Sequence, residues 1–519
     1  MMKTSRMPIL TVEEMRALEF RASQAGMSYE AMMENAGTGV AQVIFEKYSA
    51  LANNSCLGLI GPGNNGGDGL ITLEQLAKAG WSVTAILSRP RPQCPFVERF
   101  LLAGGLLHVA PVEENVVTEL VSSAGLILDA LLGTGTRLPL STEFSEILKT
   151  AKASPQLPSV IALDCPSGVA CDSGRSAEET LKAELTICIE ACKQGLLQFP
   201  ASAHIGQLEL VQLDLPPSAY LADHLKKELI TPQLASSLLP QRPDNSHKGT
   251  FGRALVIAGS RQFTGAASLS LQSALRSGVG LVYAAIPESI NIPLAASIPE
   301  VIWFPLPEKE GAFSADAGFH IPTIFADKDA VLVGPGLSQT HGTQTFLLSL
   351  LQHLRVHNPE LPLVVDADAL NILSQQPDWP SLLPKKAVLT PHEMEFSRLT
   401  GLPLSEIGVN RFSLALSYAQ KWQQTLILKG ANTLVISPQG DCRVLPFANS
   451  VLAHGGTGDV LAGLIVSLLA QNLAPFDAAT LAVWLHVRAA ELALDAVGHP
   501  AATLPSDIIR QLGRAFGSI

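Results

Sequence analysis

Short apolar runs alternate with helical patterns along this chain, and most of the runs end on a polar, glycine-bearing cluster; that rhythm predicts an α/β protein built from strand-to-loop-to-helix units. Helical spacing opens the chain at Val12 to Ala25 and Tyr29 to Lys47. The first helix follows Thr11-Val-Glu-Glu14, which has the spacing of a capping box, and the second follows Ser28 as a cap. Cys56 to Ile60, Val83 to Leu87, Ala124 to Ala130 and Val160 to Leu163 read as buried strands. In the second half the same reading applies to Ala254 to Ala258, Ala330 to Val333, Pro362 to Val365, Ala387 to Leu389 and Thr425 to Leu428. The most apolar run, Val460 to Ala470, stops at Gln471, short of the about 20 residues that span a bilayer, so a buried helix is expected there.

Between the two patterned regions, Leu215-Pro-Pro217 through Pro240-Gln-Arg-Pro-Asp-Asn-Ser-His247 mixes prolines with polar residues. A boundary near 218 to 240 follows, giving expected domains 1–217 and 218–519 in a chain of 519 residues, more than a single core usually organises. With 47% hydrophobic and 16% charged residues the chain is globular. Its net charge of −11 and lack of a basic stripe argue against a nucleic-acid partner. The cysteines number seven, with no C-x-x-C pair, and Met1 to Phe20 lacks the apolar stretch of a secretory signal; both point to reduced thiols in the cytoplasm. No membrane partner is expected, and a homo-oligomer is.

The polar clusters carry the chemistry. GPGNNGGDG, Gly61 to Gly69, follows a strand and opens a helical pattern, the geometry that turns backbone N–H groups toward an anion. Gly61-x-Gly63-x-x-Gly66 matches the dinucleotide fingerprint, yet the acidic residue expected about 20 positions on is replaced by Ser88-Arg89. No Gly-Lys-Ser/Thr is present, which excludes a P-loop. For the glycines alone a tight turn suffices, but Asn64, Asn65 and Asp68 add hard oxygen ligands. Asp129 stands near the carboxyl end of a strand and Asp68, Asp164 and Ser167 follow strands, so a parallel sheet would gather the four on one rim.

Together with Met33-Glu-Asn-Ala-Gly37, LDALLGTGTR and LDCPSG, this loop resembles the YjeF N-terminal domain, an NAD(P)H-hydrate epimerase, over roughly residues 8 to 217. The resemblance implies a Rossmann-like α/β/α sandwich in which Asn64, Asn65, Gly66, Gly67 and Asp68 hold the hydrated dinucleotide. Gly133, Thr134, Gly135, Thr136, Arg137, Leu138 and Pro139 would form a second wall. Asn65, Asp129 and Ser167 would coordinate K+. Asp164 would contact the substrate and act as acid/base, since inverting a hydroxyl-bearing carbon needs proton movement beside the ring; a turn or cap carboxylate is the plainer alternative. Lys193 reads either as a cation at the rim or as a solvated surface lysine.

In the second half, HGGTGDVLAG at His454 to Gly463 opens the apolar helix and aims N–H groups at a place where negative charge could develop, with Asp459 placed as a base. A capping carboxylate is again the alternative. This motif, with GSRQFTGAA, VGPGLS, VVDADALN, LTPHEMEF and LKGANT, is similar to the ribokinase-like superfamily and more closely to the ADP/ATP-dependent NAD(P)H-hydrate dehydratases, over about 225 to 515. The resemblance implies a ribokinase-like α/β/α sandwich. Lys429, Gly430, Ala431, Asn432, Thr433 and Gly458 would bind the adenine nucleotide, and Ala266, Gly336, His392 and Asp459 the hydrated cofactor. Glu395 would help hold Mg2+, with Asp366 and Asp368 weaker candidates at that rim. The chain departs from the family pattern at Ser338 and Met394, where glycine is usual.

The implied function is repair of the NADH and NADPH hydrates, NADHX and NADPHX: one domain interconverts their R and S epimers, and the other dehydrates the S form at the expense of ADP or ATP. Two alternatives stand beside it, a small-molecule kinase in the second half and a non-catalytic ligand-binding module in the first.

Overall fold

A computed structural model describes residues 6–51, 53–221 and 226–519. The chain divides into two compact units, Met7–Glu228 and Leu229–Ile519. The division falls inside the proline-bearing stretch but beyond residue 217, for a local reason. Ala219 is fully buried in the first unit's core, the Arg21 Nε donates to its carbonyl at 2.7 Å, and the Tyr220 hydroxyl donates to Glu190. Residues 222–225 of the stretch lie outside those described.

The first unit opens with helices α1 (Val12–Gln24) and α2 (Tyr29–Tyr48). The Thr11–Glu14 capping box forms, and Ser28 caps α2. Strands β1 (Ser55–Ile60), β2 (Ser82–Leu87), β3 (Leu106–Val109), β4 (Leu126–Ala130), β5 (Ser159–Leu163), β6 (Leu185–Ile189) and β7 (Gln207–Val211) make a parallel sheet in the order β3-β2-β1-β4-β5-β6-β7. The order reverses between β1 and β4, the kind of switch point where open α/β sheets bind ligands at their carboxyl edge. Alternation along β1 builds the layers: Cys56 and Ile60 join a core with Val40 and Leu73, whereas Leu57 and Leu59 join another with Val121 and Leu148.

Helix α3 (Asn64–Lys78) begins inside the glycine loop. Gly66 is required there, because a Cβ at that position would lie 2.0 Å from the Gly61 carbonyl oxygen. Helices α4 (Glu114–Ser123) and α5 (Thr142–Ala153) pack on the face that holds Leu57 and Leu59.

In the second unit, β8 (Arg253–Ile257), β9 (Leu281–Pro287), β10 (Ile302–Leu306), β11 (Ala330–Val333), β12 (Leu363–Val365), β13 (Ala387–Leu389), β14 (Thr425–Leu428), β15 (Leu434–Ile436) and β16 (Cys442–Val444) run in the order β16-β15-β14-β13-β12-β11-β8-β9-β10. Pairing is parallel from β14 to β10 and antiparallel at β15 and β16. Helices α6 (Thr264–Arg276), α7 (Glu393–Thr400), α8 (Arg411–Trp422), α9 (Thr457–Ala470) and α10 (Pro475–Val497) position its site. Every residue of Val460 to Ala470 is buried, as the apolar run predicts. Among the described residues no helix is long and apolar enough to cross a membrane.

Candidate functional sites

In the first unit the carboxyl ends of β1, β4 and β5 converge. The first-turn N–H groups of α3 lack intrahelical acceptors, its cap is Gly63, and no acidic residue stands in its first turn. Arg91 supplies a cation beside them: its Nη1 donates to the Gly61 carbonyl at 2.9 Å and lies 2.7 Å from where a Gly66 Cβ would be. Asn65 Nδ2 donates to the Leu132 carbonyl at 3.0 Å, and Gly133 lies against the Asn65 side chain. Ser167 donates from both N and Oγ to the fully buried Asp129, and its Oγ accepts from the Leu132 N–H at 2.8 Å. The fold therefore brings Asn65, Gly133, Asp129 and Ser167 together. The wall from Gly133 to Pro139 is half-buried to exposed, with the Thr136 N–H donating to Gly133 O at 3.1 Å.

A second cluster sits beside it. Asp164 follows β5 in a bend with φ of 66°, and no helix begins or ends there. Its Oδ1 accepts from Lys193 Nζ and, at 3.1 Å, from the Ile189 N–H. Lys193 is 1% exposed, which excludes a solvated surface lysine, and it also donates to Ile189 O and Ala191 O at 3.0 Å each. Burial pulls its ammonium down, but Asp164 beside it outweighs that and holds it above the ordinary lysine value. Burial pushes the Asp68 carboxyl well up, reinforced by Asp164 and by Glu19 on α1. Glu19 is raised as well, again by burial first.

In the second unit the site forms around the start of α9. Gly456 caps the helix at φ of 98°, and Asp459 stands in the first turn, inside the helix and not at the cap. Burial pushes its carboxyl up to about 7; Asp366 adds to the rise and Lys429 opposes it. Lys429 Nζ lies 3.4 Å from the position of a Cβ on Gly458, 2.8 Å from Asp366 and 3.9 Å from Glu395. Asp366 also accepts from Thr390 at 2.7 Å. Burial and the neighbouring Asp366 carboxylate raise Glu395 to about 7.

The loop Lys429 to Thr433 is held from behind by Arg411 on α8. Its Nη1 donates to Ala431 O (2.6 Å) and Asn432 O (3.0 Å), and its Nη2 to Leu428 O (3.0 Å) and Lys429 O (3.1 Å). Gly430 adopts φ of 139°, a conformation that side chains avoid, and its missing Cβ leaves room for the guanidinium. Four carbonyls between Leu428 and Asn432 are thus taken by Arg411, and Lys429 stands at the start of the loop. A cavity of about 240 Å3 opens there, lined by Lys429, Gly430, Ala431, Thr433, Gly458 and His486, among others.

Gly336 and Ala266 are adjacent, a Cβ on Gly336 falling 2.9 Å from that of Ala266. His392 lies in a β-bridge with Lys429, and its Nδ1 accepts from the Met394 and Glu395 N–H groups at 3.2 and 3.3 Å. It thus caps α7 while half its side chain stays exposed. Ser338, one of the two departures from the family pattern, has φ of 69°, which explains why glycine is usual there.

Two family models match the chain: that of NAD(P)H-hydrate dehydratase over residues 254–514 and that of the YjeF-related protein N-terminus over residues 29–195. The bifunctional NAD(P)H-hydrate repair enzyme Nnr of Moorella thermoacetica is 34% identical over 491 residues, 92% of this chain and 91% of that protein. The chain belongs to the bifunctional NAD(P)H-hydrate repair enzymes. The Escherichia coli member is 35% identical, covering 91% of this chain and 86% of its own. The ADP/ATP-dependent NAD(P)H-hydrate dehydratase from Bacillus subtilis, crystallised with ATP/Mg2+, is 31% identical, with a TM-score of 0.48, and covers 56% of this chain and 98% of that one.

Within this repair-enzyme frame, sequence reading overlooked Arg91, Glu19, Arg411 and His486. Arg411 lies eighteen positions before Lys429 on a different element, so no local motif joins them. His486 is buried on an apolar helix, where a lone histidine reads as packing; burial pushes it down to about 4, and its Nε2 has no hydrogen-bond partner among the described residues.

Proposed function

We propose that the two sites divide nicotinamide-nucleotide repair between them: the first unit interconverts the R and S hydrates of NADH and NADPH, and the second dehydrates the S form with ADP or ATP. The observation that carries the second assignment is Asp459, a carboxyl raised to about 7 in the first turn of α9 with Lys429 over the adjoining Gly458. A general base works best with a pKa near the operating pH. Hydroxide is a poor leaving group, because water has a pKa of ~15.7. Asp459 takes the proton of the carbinol hydroxyl, whose oxygen attacks the nucleotide's terminal phosphorus as the bond to the bridging oxygen breaks, releasing ADP from ATP or AMP from ADP. Lys429 and the α9 N–H groups meet the charge of the transferring phosphoryl group. The ring nitrogen's electron pair then expels phosphate, and loss of a proton from the adjoining carbon restores the dihydronicotinamide.

Lys429, Gly430, Ala431, Asn432, Thr433 and Gly458 bind the nucleotide, and Ala266, Gly336, His392 and Asp459 the hydrate. Mg2+ suits a site whose one or two carboxylates, which Glu395 and Asp366 would supply, are completed by substrate phosphates, and there it would offset phosphate charge. In the first unit, Asn64 to Asp68 and Gly133 to Pro139 grip the substrate. Asp164 gives a proton to the carbinol oxygen as the carbon–oxygen bond breaks, leaving water and a ring iminium, and takes a proton back as water re-adds on the other face; its carboxylate is oriented by Lys193 and the Ile189 N–H. Asp129 is a buried carboxylate, pushed up by burial, whose hydrogen-bond partners are all neutral, so the site suits a monovalent cation such as K+ with Asn65 and Ser167; K+ would supply charge balance. Free thiols at all seven cysteines support a cytoplasmic setting. A homo-oligomer is the proposed assembly.

Product analysis tests the reading. The full chain given NADHX, Mg2+ and ATP is expected to release free phosphate and regenerate the near-ultraviolet absorbance of NADH. A stable phosphorylated nicotinamide compound would show a kinase instead.

A further inference from the structure

The epimerase substrate is a dinucleotide, and Asp164, Asp129 and the Gly133 wall, assigned above to its reacting nicotinamide half, all lie on the β4 and β5 side of the glycine loop. On the opposite side, past β2, lies a cavity of about 540 Å3, within the usual range for small-molecule sites. Its lining includes Ser88, Arg89, Val112, Glu114, Glu143 and Glu146. Ser88 follows β2 directly, and its N–H donates to Ile60 O at 2.9 Å, which registers this wall against the start of the glycine loop. Three residues on, Arg91 bonds Gly61. The cavity and the loop are therefore neighbours along one carboxyl edge.

Two features say what the cavity accepts. Ser88 is 3% exposed, and its Oγ has no hydrogen-bond partner among the described residues, an unusual cost for a buried hydroxyl unless a ligand satisfies it. Arg89, the only cation in the lining, is already engaged by Glu143 through Nε to Oε2 at 2.7 Å and Nη2 to Oε1 at 2.5 Å. Among the described residues Glu114 and Glu146, also in the lining, have no ion pair. Such a wall accepts hydrogen bonds from hydroxyl groups and repels a phosphate. In dinucleotide-binding folds the end of the second strand is where a carboxylate reads the 2′-hydroxyl or an arginine receives a 2′-phosphate.

Building on the epimerase reading, we infer that this cavity is the adenosine subsite of the epimerase and that its carboxylates favour a free ribose 2′-hydroxyl over a 2′-phosphate, so NADHX is preferred to NADPHX. The carboxylate comes from α5 in space and not from the strand end in sequence, with Glu143 neutralising the arginine that would otherwise welcome phosphate.

The test compares epimerisation by the full chain of NADHX, NADPHX and the hydrate of reduced nicotinamide mononucleotide, which lacks adenosine, each followed by chromatography. The wild type is expected to show a kcat/KM at least about tenfold higher for NADHX than for NADPHX, carried by KM. Glu146→Lys, at an exposed helix position, is expected to shrink that ratio to about twofold or invert it, and to leave the mononucleotide hydrate unaffected. Equal treatment of the two dinucleotides by the wild type overturns the inference. So does a ratio indifferent to Glu146→Lys, or an equal effect of that change on the mononucleotide. A wild type that epimerises none of the three overturns the Asp164 reading as well.

Discussion

The helix starts at Asn64 and Thr457 share a design but not a charge. Both are capped by glycine without a side-chain cap bond, so both offer N–H groups to an anion. In the second unit the acid and the cation stand within the turn or against it, as Asp459 and Lys429. In the first, the turn carries amides, and the carboxylate proposed to move protons, Asp164, comes from another strand with its lysine behind it. The difference follows the chemistry each site has to perform. Phosphoryl transfer needs base, cation and anion hole around one phosphate, whereas epimerisation needs an anion grip at a distance from the carbon that inverts.

That contrast can be broken one unit at a time. Asp459→Asn is expected to lower dehydration about 10²- to 10⁴-fold, the usual worth of a general base, while epimerisation in the same sample stays at the wild-type rate. Asp164→Ala is expected to do the reverse, slowing equalisation of the two epimers by about 10²-fold or more and sparing dehydration of the S form. A variant that still equalised the epimers at the wild-type rate would falsify the acid/base assignment.

Smaller effects sharpen the comparison. Arg411→Lys loses the fork that spans four carbonyls, so the nucleotide KM is expected to rise about tenfold, ~1.4 kcal/mol, with kcat for dehydration and the epimerase rate little changed. Ser338→Gly relieves a left-handed backbone position and is expected to stabilise the second unit by up to ~1 kcal/mol, read as a higher midpoint in denaturant.

Much of this was legible in the chain. The strands Ala330–Val333, Ala387–Leu389 and Thr425–Leu428 fall where their apolar runs place them, and both glycine loops open helices. The start of α3 was not visible, because glycines and asparagines disfavour helix in isolation, and the close approach to Gly61 that demands glycine at 66 exists only in the fold. Strands such as Leu281–Pro287 and Ile302–Leu306 carry partly exposed residues and proline, which blur the buried-strand signal. Lys193, left open between rim and surface, turned out buried, since its partner Asp164 lies twenty-nine residues away in sequence. Arg411 was missed for the same reason: a buried polar residue takes its meaning from partners that only the fold assembles.

The pH profile of dehydration probes the central claim most directly. With the Asp459 carboxyl near 7, the base is protonated and idle in acid, so kcat is expected to rise with pH through about 7 and then level off, and the residual rate of Asp459→Asn to lack that rise. An Asp459→Asn enzyme that retained both the wild-type rate and the wild-type profile would contradict the account.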